Sequence, residues 1–159
     1  MVIKAVVNTQ ARERIRELLR QVSQEKGALR LAMLAQSSPG LPNRWNFIVS
    51  APWIDAAGLR PTISYLSSRL KQYLDRRALS TIDRISTIPS NDPLVDRILH
   101  YAKGIFGSDA FLREGELFLQ NWVIGDLTIP EGYIFVADPD SDTHVRFTRS
   151  SRDAQKAAR

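Results

Sequence analysis

The chain predicts an α+β fold: a single domain with a mixed sheet of about five strands covered by three helices, in the order α-β-β-α-β-α-β-β-β. Three observations carry this. Arg44 to Ser50 alternates Trp45, Phe47 and Val49 against Ile48 on the other face, the pattern of a strand buried on both sides, and Pro52 stops its ladder. This strand is expected at the centre of the fold. Helical and strand periodicities then interleave on both sides of it, so that strand, helix and strand form a right-handed crossover. With 159 residues the chain is long enough to bury a core without staples.

The elements follow in order. Asn8 or Thr9 caps a first helix with an apolar stripe at Ile15, Leu18, Leu19 and Val22, and Gly27 ends it. Ala28 to Gln36 alternates as a strand, and a loop from Ser37 to Asn43 returns it antiparallel into Arg44 to Ser50. Pro61 fits the first turn of a second helix whose stripe is Ile63, Leu66, Leu70, Tyr73 and Leu74, with Arg76 and Arg77 near its C-terminus, where cations complement the dipole. Leu79 to Ile88 has isoleucines spaced by three, the mark of a bulge or a partly exposed edge. Asp92 as N-cap with Pro93 at the first helical position opens a third helix, buried through Leu94, Val95, Ile98, Leu99, Ala102 and Ile105 and ended by Gly104 or Gly107. Ser108 to Glu116 reads as a connector, with Phe111 and Leu112 tucked against the core.

Leu117 to Ile124 alternates Leu117, Leu119 and Val123 against Phe118, Trp122 and Ile124, which predicts two covered faces. Gly125-Asp126 fits a tight hairpin turn into Leu127 to Ile129; Pro130-Glu131-Gly132 interrupts, and Tyr133 to Ala137 resumes as a further strand, with Pro130 implying a sheet edge. The domain is therefore expected over 1–137. Residues 138–159, poor in apolar groups, predict a disordered basic tail.

Composition narrows the classes of function. The net charge of +5 falls unevenly: residues 143–159 carry +4, the aspartates at 138, 140 and 142 carry −3, and the body carries +4, concentrated on the first two helices. With no cysteine, disulfides and thiolate metal sites are excluded, and with no apolar run near the roughly 20 residues of a membrane span the expectation is a cytoplasmic protein without membrane contact. The two histidines, His100 and His144, leave little material for a Ser-His-acid or two-His arrangement. Asp138 to Asp142 opens like a calcium loop but has Thr143 where glycine belongs and Arg149 where the last acidic ligand belongs. Gly104 and Gly107 have the spacing of an RNA-clamping loop, yet two glycines ending a helix account for them as caps.

Two constellations remain. Parallel strands at Arg44 to Ser50 and Leu79 to Ile88 would bring Ser50, Asp55, Ser90, Asn91 and Asp92 to one carboxyl edge, the usual place for a ligand in an open α/β sheet. Asp55 and Asp92 could hold Mg²⁺ there for phosphoester hydrolysis, or serve only as helix caps. Arg12, Arg16, Arg20, Arg69 and Lys71 could form a nucleic-acid face if they converge, although Glu13 and Glu17 offset the first three along their helix. No nucleophile with its base, no metal-ligand cluster and no phosphate loop stands out, so neither a cofactor nor a catalytic residue is assigned. The leading expectation is a non-catalytic protein-interaction or self-association module, its partner a protein or its own copy docking on the strand from Pro130 to Ala137.

Overall fold

The computed structural model describes residues 9–37, 44–106, 117–124 and 127–137. Its elements are α1 (Thr9–Lys26), β1 (Leu31–Gln36), β2 (Trp45–Ser50), α2 (Pro52–Ala57), α3 (Leu59–Tyr73), α4 (Arg76–Leu79), β3 (Ile82–Thr87), α5 (Pro93–Phe106), β4 (Leu117–Ile124) and β5 (Leu127–Ala137). They build the expected α+β fold around one mixed sheet of five strands in the order β3-β2-β1-β5-β4. The expected tail over 138–159, the connector from Ser108 to Glu116 and the Gly125-Asp126 turn lie outside the described residues.

The first helix buries Ile15, Leu18, Leu19 and Val22 as its spacing requires, and Ala11 with them. It stops at Gly27, whose φ of +129° suits glycine and whose missing side chain leaves room for Trp53: a Cβ there would stand 3.2 Å from the indole Cδ1. β1 and β2 pair antiparallel from Leu31↔Ser50 to Gln36↔Trp45. β2 and β3 then pair in parallel from Trp45↔Ile82 to Val49↔Thr87, joined by the crossover of α2, α3 and α4. Their register shifts between Trp45 and Asn46, which leaves Asp83 as an extra residue and explains the spacing by three of the β3 isoleucines.

Two apolar layers sandwich the sheet. Trp45, Phe47 and Val49 belong to the core beneath α1 and α3. Ile48 turns to the opposite core, beneath Val95, Ile98, Leu99 and Ala102 of α5. Trp45 and Phe47 are completely buried, each contributing roughly 1.5–3 kcal/mol by removal from water.

Several expectations are corrected. The middle strand is β1, with β2 beside it, because β1 pairs with β2 on one edge and with β5 on the other. Helices number five among the described residues: Pro52 starts α2, with Ala51 at its N-cap, and Asp75 caps α4 by accepting from the Ala78 N–H at 2.8 Å. Arg76 and Arg77 therefore begin a new helix instead of ending α3. The segments on either side of Pro130 are one strand, β5, and that strand is interior.

Pro130 is tolerated because β1 pairs with β5 only as far as Gly132. On the β4 side it falls between the pairs Gln120↔Glu131 and Trp122↔Ile129, opposite Asn121, which has a left-handed φ of 52°. The missing N–H thus meets a residue already out of the ladder. The same irregularity corrects the expected alternation of β4. Leu117 and Leu119 lie in the α5 core, and after Asn121 so do Trp122 and Ile124; Phe118 and Val123 are left exposed.

Candidate functional site

The parallel pairing of β2 and β3 places their carboxyl ends on one edge, with the start of α5 directly after. There a cleft of about 510 Å³ is lined by Asp55, Ser90 and Asn91 together with Ile54, Gly58, Leu59, Thr87 and Pro89. Three of the five candidate residues thus come together, and Ser50 and Asp92 do not line the cleft.

The polar groups there are occupied in holding the chain. Asp55 sits inside α2 and is not its cap; both its carboxylate oxygens lie 3.2 Å from the Ser90 N–H, and Oδ2 accepts from the Ser90 hydroxyl at 2.5 Å. Asp92 is the cap its sequence context predicts, accepting from the Leu94 N–H at 2.8 Å. Ser50 is completely buried, and its hydroxyl has no hydrogen-bond partner among the described residues. Arg30, which sequence reasoning passed over, donates from Nη1 to the Ser90 carbonyl at 2.5 Å and from Nη2 to Asp96 at 3.4 Å. It lies in the stretch Ala28 to Gln36 that alternates as a strand, but nothing local marks its role, because its partner Ser90 is 60 residues away along the chain.

In chemical terms this is a clamp. One carboxylate and one guanidinium grip the Ser90 backbone and hydroxyl, joining α2, the start of β1 and the entry to α5. The serine hydroxyl donates to a carboxylate, but among the described residues no imidazole lines the cleft to take up its proton, and no group of three or more His, Cys, Asp or Glu is suited to a metal ion.

The basic candidates are spread along the helices. Arg12 lies over the Tyr133 ring at 4.6 Å, near the start of α1. Arg69 bonds Glu25 at 2.6 Å near its end and Gln72 at 2.8 Å. Arg12 and Glu25 are separated by about 20 Å along the helix at 1.5 Å per residue, so Arg12 and Arg69 do not converge. Arg20 and Lys71 are exposed, and Arg16 is half-buried. Arg14, absent from the expected set, reaches the Tyr73 carbonyl at 3.0 Å and Glu17 at 3.2 Å.

Glu25 is the centre of the electrostatics between α1 and α3. Tyr65 donates to it at 2.5 Å, and hydrogen bonds from Tyr65 and Gln21, then the nearby Arg69, hold its carboxyl below the usual range. Burial, followed by the bond to Glu25, pushes the Tyr65 phenol upward.

The other concentration of unusual groups is the far edge of the sheet, formed by β4. It pairs with β5 alone among the described residues. Phe118 is 47 % exposed and Val123 62 %; on the α5 side Trp122 packs against Tyr101, the rings tilted by 43° with centroids 4.4 Å apart. No described helix is long and apolar enough to cross a membrane. Comparison with protein-family models, curated proteins and solved structures finds no match to this chain.

Proposed function

We propose that this chain is a non-catalytic interaction domain that binds another protein or its own copy along the outer edge of β4. The expected docking strand, Pro130 to Ala137, is interior, and the role passes to its neighbour. What supports this is the composition of that edge. An outermost strand presents unpaired N–H and C=O groups to any extended partner, and proteins commonly guard it with charges or proline. β4 has neither in its eight residues, Leu117–Ile124. Phe118, beside its Tyr133 neighbour at 5.2 Å, is the kind of aromatic anchor that dominates binding surfaces.

The alternatives find less support. Nucleic-acid binding through Arg12, Arg16, Arg20, Arg69 and Lys71 needs a convergence that Arg12 and Arg69 do not make. Mg²⁺-dependent phosphoester hydrolysis at Asp55 and Asp92 needs carboxylates that are instead bonded to Ser90 and to the start of α5.

The test compares the full chain with its Phe118→Lys/Val123→Lys variant, by sedimentation at several concentrations and by retention of proteins from native lysate. Self-association or retention of a partner by the parent, weakened about tenfold or more in the variant, is the expected result. A strictly monomeric parent that retains nothing beyond what the variant retains overturns the reading.

A further inference from the structure

Resting on that reading, we infer that the occupant of the β4 edge is a second copy of this chain, paired antiparallel with β4 about a two-fold axis at Gln120 and Asn121. The left-handed Asn121 is what makes this fit. It reverses the alternation, so that Leu117 and Leu119 before it, and Trp122 and Ile124 after it, all face the α5 side, while Phe118 and Val123 share the other. The order of faces along β4 is therefore the same read in either direction.

An antiparallel copy is read in the opposite direction, and a two-fold axis perpendicular to the sheet keeps each face on its own side. Leu117 then meets the partner's Ile124, Phe118 meets the partner's Val123, and Leu119 meets the partner's Trp122, every pair on one face. A regularly alternating strand in this register would oppose residues from different faces. The axis falls where the pair of Gln120 with Asn121 recurs, and there the ladder is already interrupted on each strand. Two of the pairs set an aromatic ring against a branched aliphatic chain, a favourable cross-strand combination. The two exposed apolar side chains, 47 % and 62 % accessible, cover one another.

Charge points to the same occupant. A two-fold contact brings groups close to their own copies, so a charged strand repels itself. A quarter of this chain is charged, yet β4 carries no charge. Eight residues of strand bury less than the roughly 1,600 Å² of a standard interface, so the dimer should be weak and concentration-dependent.

The chain has no cysteine, which permits a direct test of register. Phe118→Cys and Val123→Cys are made separately, checked for folding by circular dichroism, and oxidised alone and as a mixture. Directly opposed residues have Cα atoms about 5.5 Å apart, within disulfide reach. A residue and its own copy in this register are displaced by five positions, about 17 Å. The expected result is a disulfide dimer from the mixture and none above background from either variant alone. A dimer from either variant alone, or none from the mixture, overturns the inference. Two other outcomes also overturn it. A parent that stays monomeric but retains another protein, losing it in Phe118→Lys/Val123→Lys, leaves the interaction reading standing and replaces the copy with a different partner. A dilute monomer in which the β4 amides that point away from β5 exchange slowly means the chain covers its own edge.

Discussion

The sheet has two edges, and they are built differently. β3, Ile82–Thr87, carries Asp83 and Arg84 exposed. Asp83 is bulged out of register and paired with Arg44, and α3 lies behind the strand against Ile82 and Ile85. β4 is longer, uncharged, and has Phe118 and Val123 open to solvent on the face away from α5. Burial does not require this contrast, since both strands complete the same sheet. A charged bulge makes β3 a poor template for another strand, and among the described residues β4 has no comparable guard.

Loosening β4 from the sheet is expected to have the largest effect. Gly132 of β5 lies between β1 and β4, and a Cβ there would stand 2.8 Å from the Leu34 carbonyl oxygen and 3.1 Å from Ile129 Cγ2. Backbone in two paired strands cannot yield cheaply, so Gly132→Ala should cost about 1–3 kcal/mol by chemical denaturation. A change within about 0.5 kcal/mol would mean that the strands give way there. Removing the guard from the other edge should sharpen the contrast. Asp83→Thr/Arg84→Val loses only an exposed ion pair, worth about 0.2–1 kcal/mol, yet should add association visible by light scattering. Scattering identical to the parent's would show that charge is not what keeps β3 apart.

The smallest effect concerns the helices behind the guarded half. Because the Glu25 carboxyl is held low in the folded chain, its contribution is present above its unfolded pKa and is lost as pH falls through the lower folded value. Tyr65 is pushed upward, so its contribution is present below its unfolded pKa and is lost as pH rises through the raised one. Stability should therefore decline at both extremes, and Glu25→Gln should flatten the acid limb in melts recorded against pH. An acid limb unchanged in that variant would remove Glu25 from the account.

Much of this was legible in local pattern. Arg44 to Ser50 reads as a doubly buried strand because Trp45, Phe47, Ile48 and Val49 fill both faces, and Asp92-Pro93 announces a helix through two independent preferences. The carboxyl edge followed from the crossover, and it does gather Asp55, Ser90 and Asn91. What escaped was set by distant partners. Pro130 was read as an edge because its missing N–H is a local fact, whereas the end of β1 opposite Gly132 is a fact about residues almost a hundred positions earlier. Asn121 hid its left-handed backbone, and with it the face of Trp122, because asparagine is compatible with either conformation. Asp55 was read as a cap because its use, the hydroxyl and N–H of Ser90, lies 35 residues away.

The position of β1 between its earliest and its latest neighbour sets a timetable for folding. It finds β2 through a short return, but its other edge waits for β5, where Ala32 meets Val136. At the roughly 5–20 residues per second of synthesis, those hundred-odd residues keep the edge open for about 5–20 seconds. During that interval the nascent chain holds an apolar strand, Leu31-Ala32-Met33-Leu34-Ala35, with one edge still unpaired, that becomes the innermost strand of the finished sheet. Slow non-local closure of this kind exposes a chain to misassembly before it folds. A ribosome-bound chain truncated before β5 is therefore where chaperone dependence should be greatest.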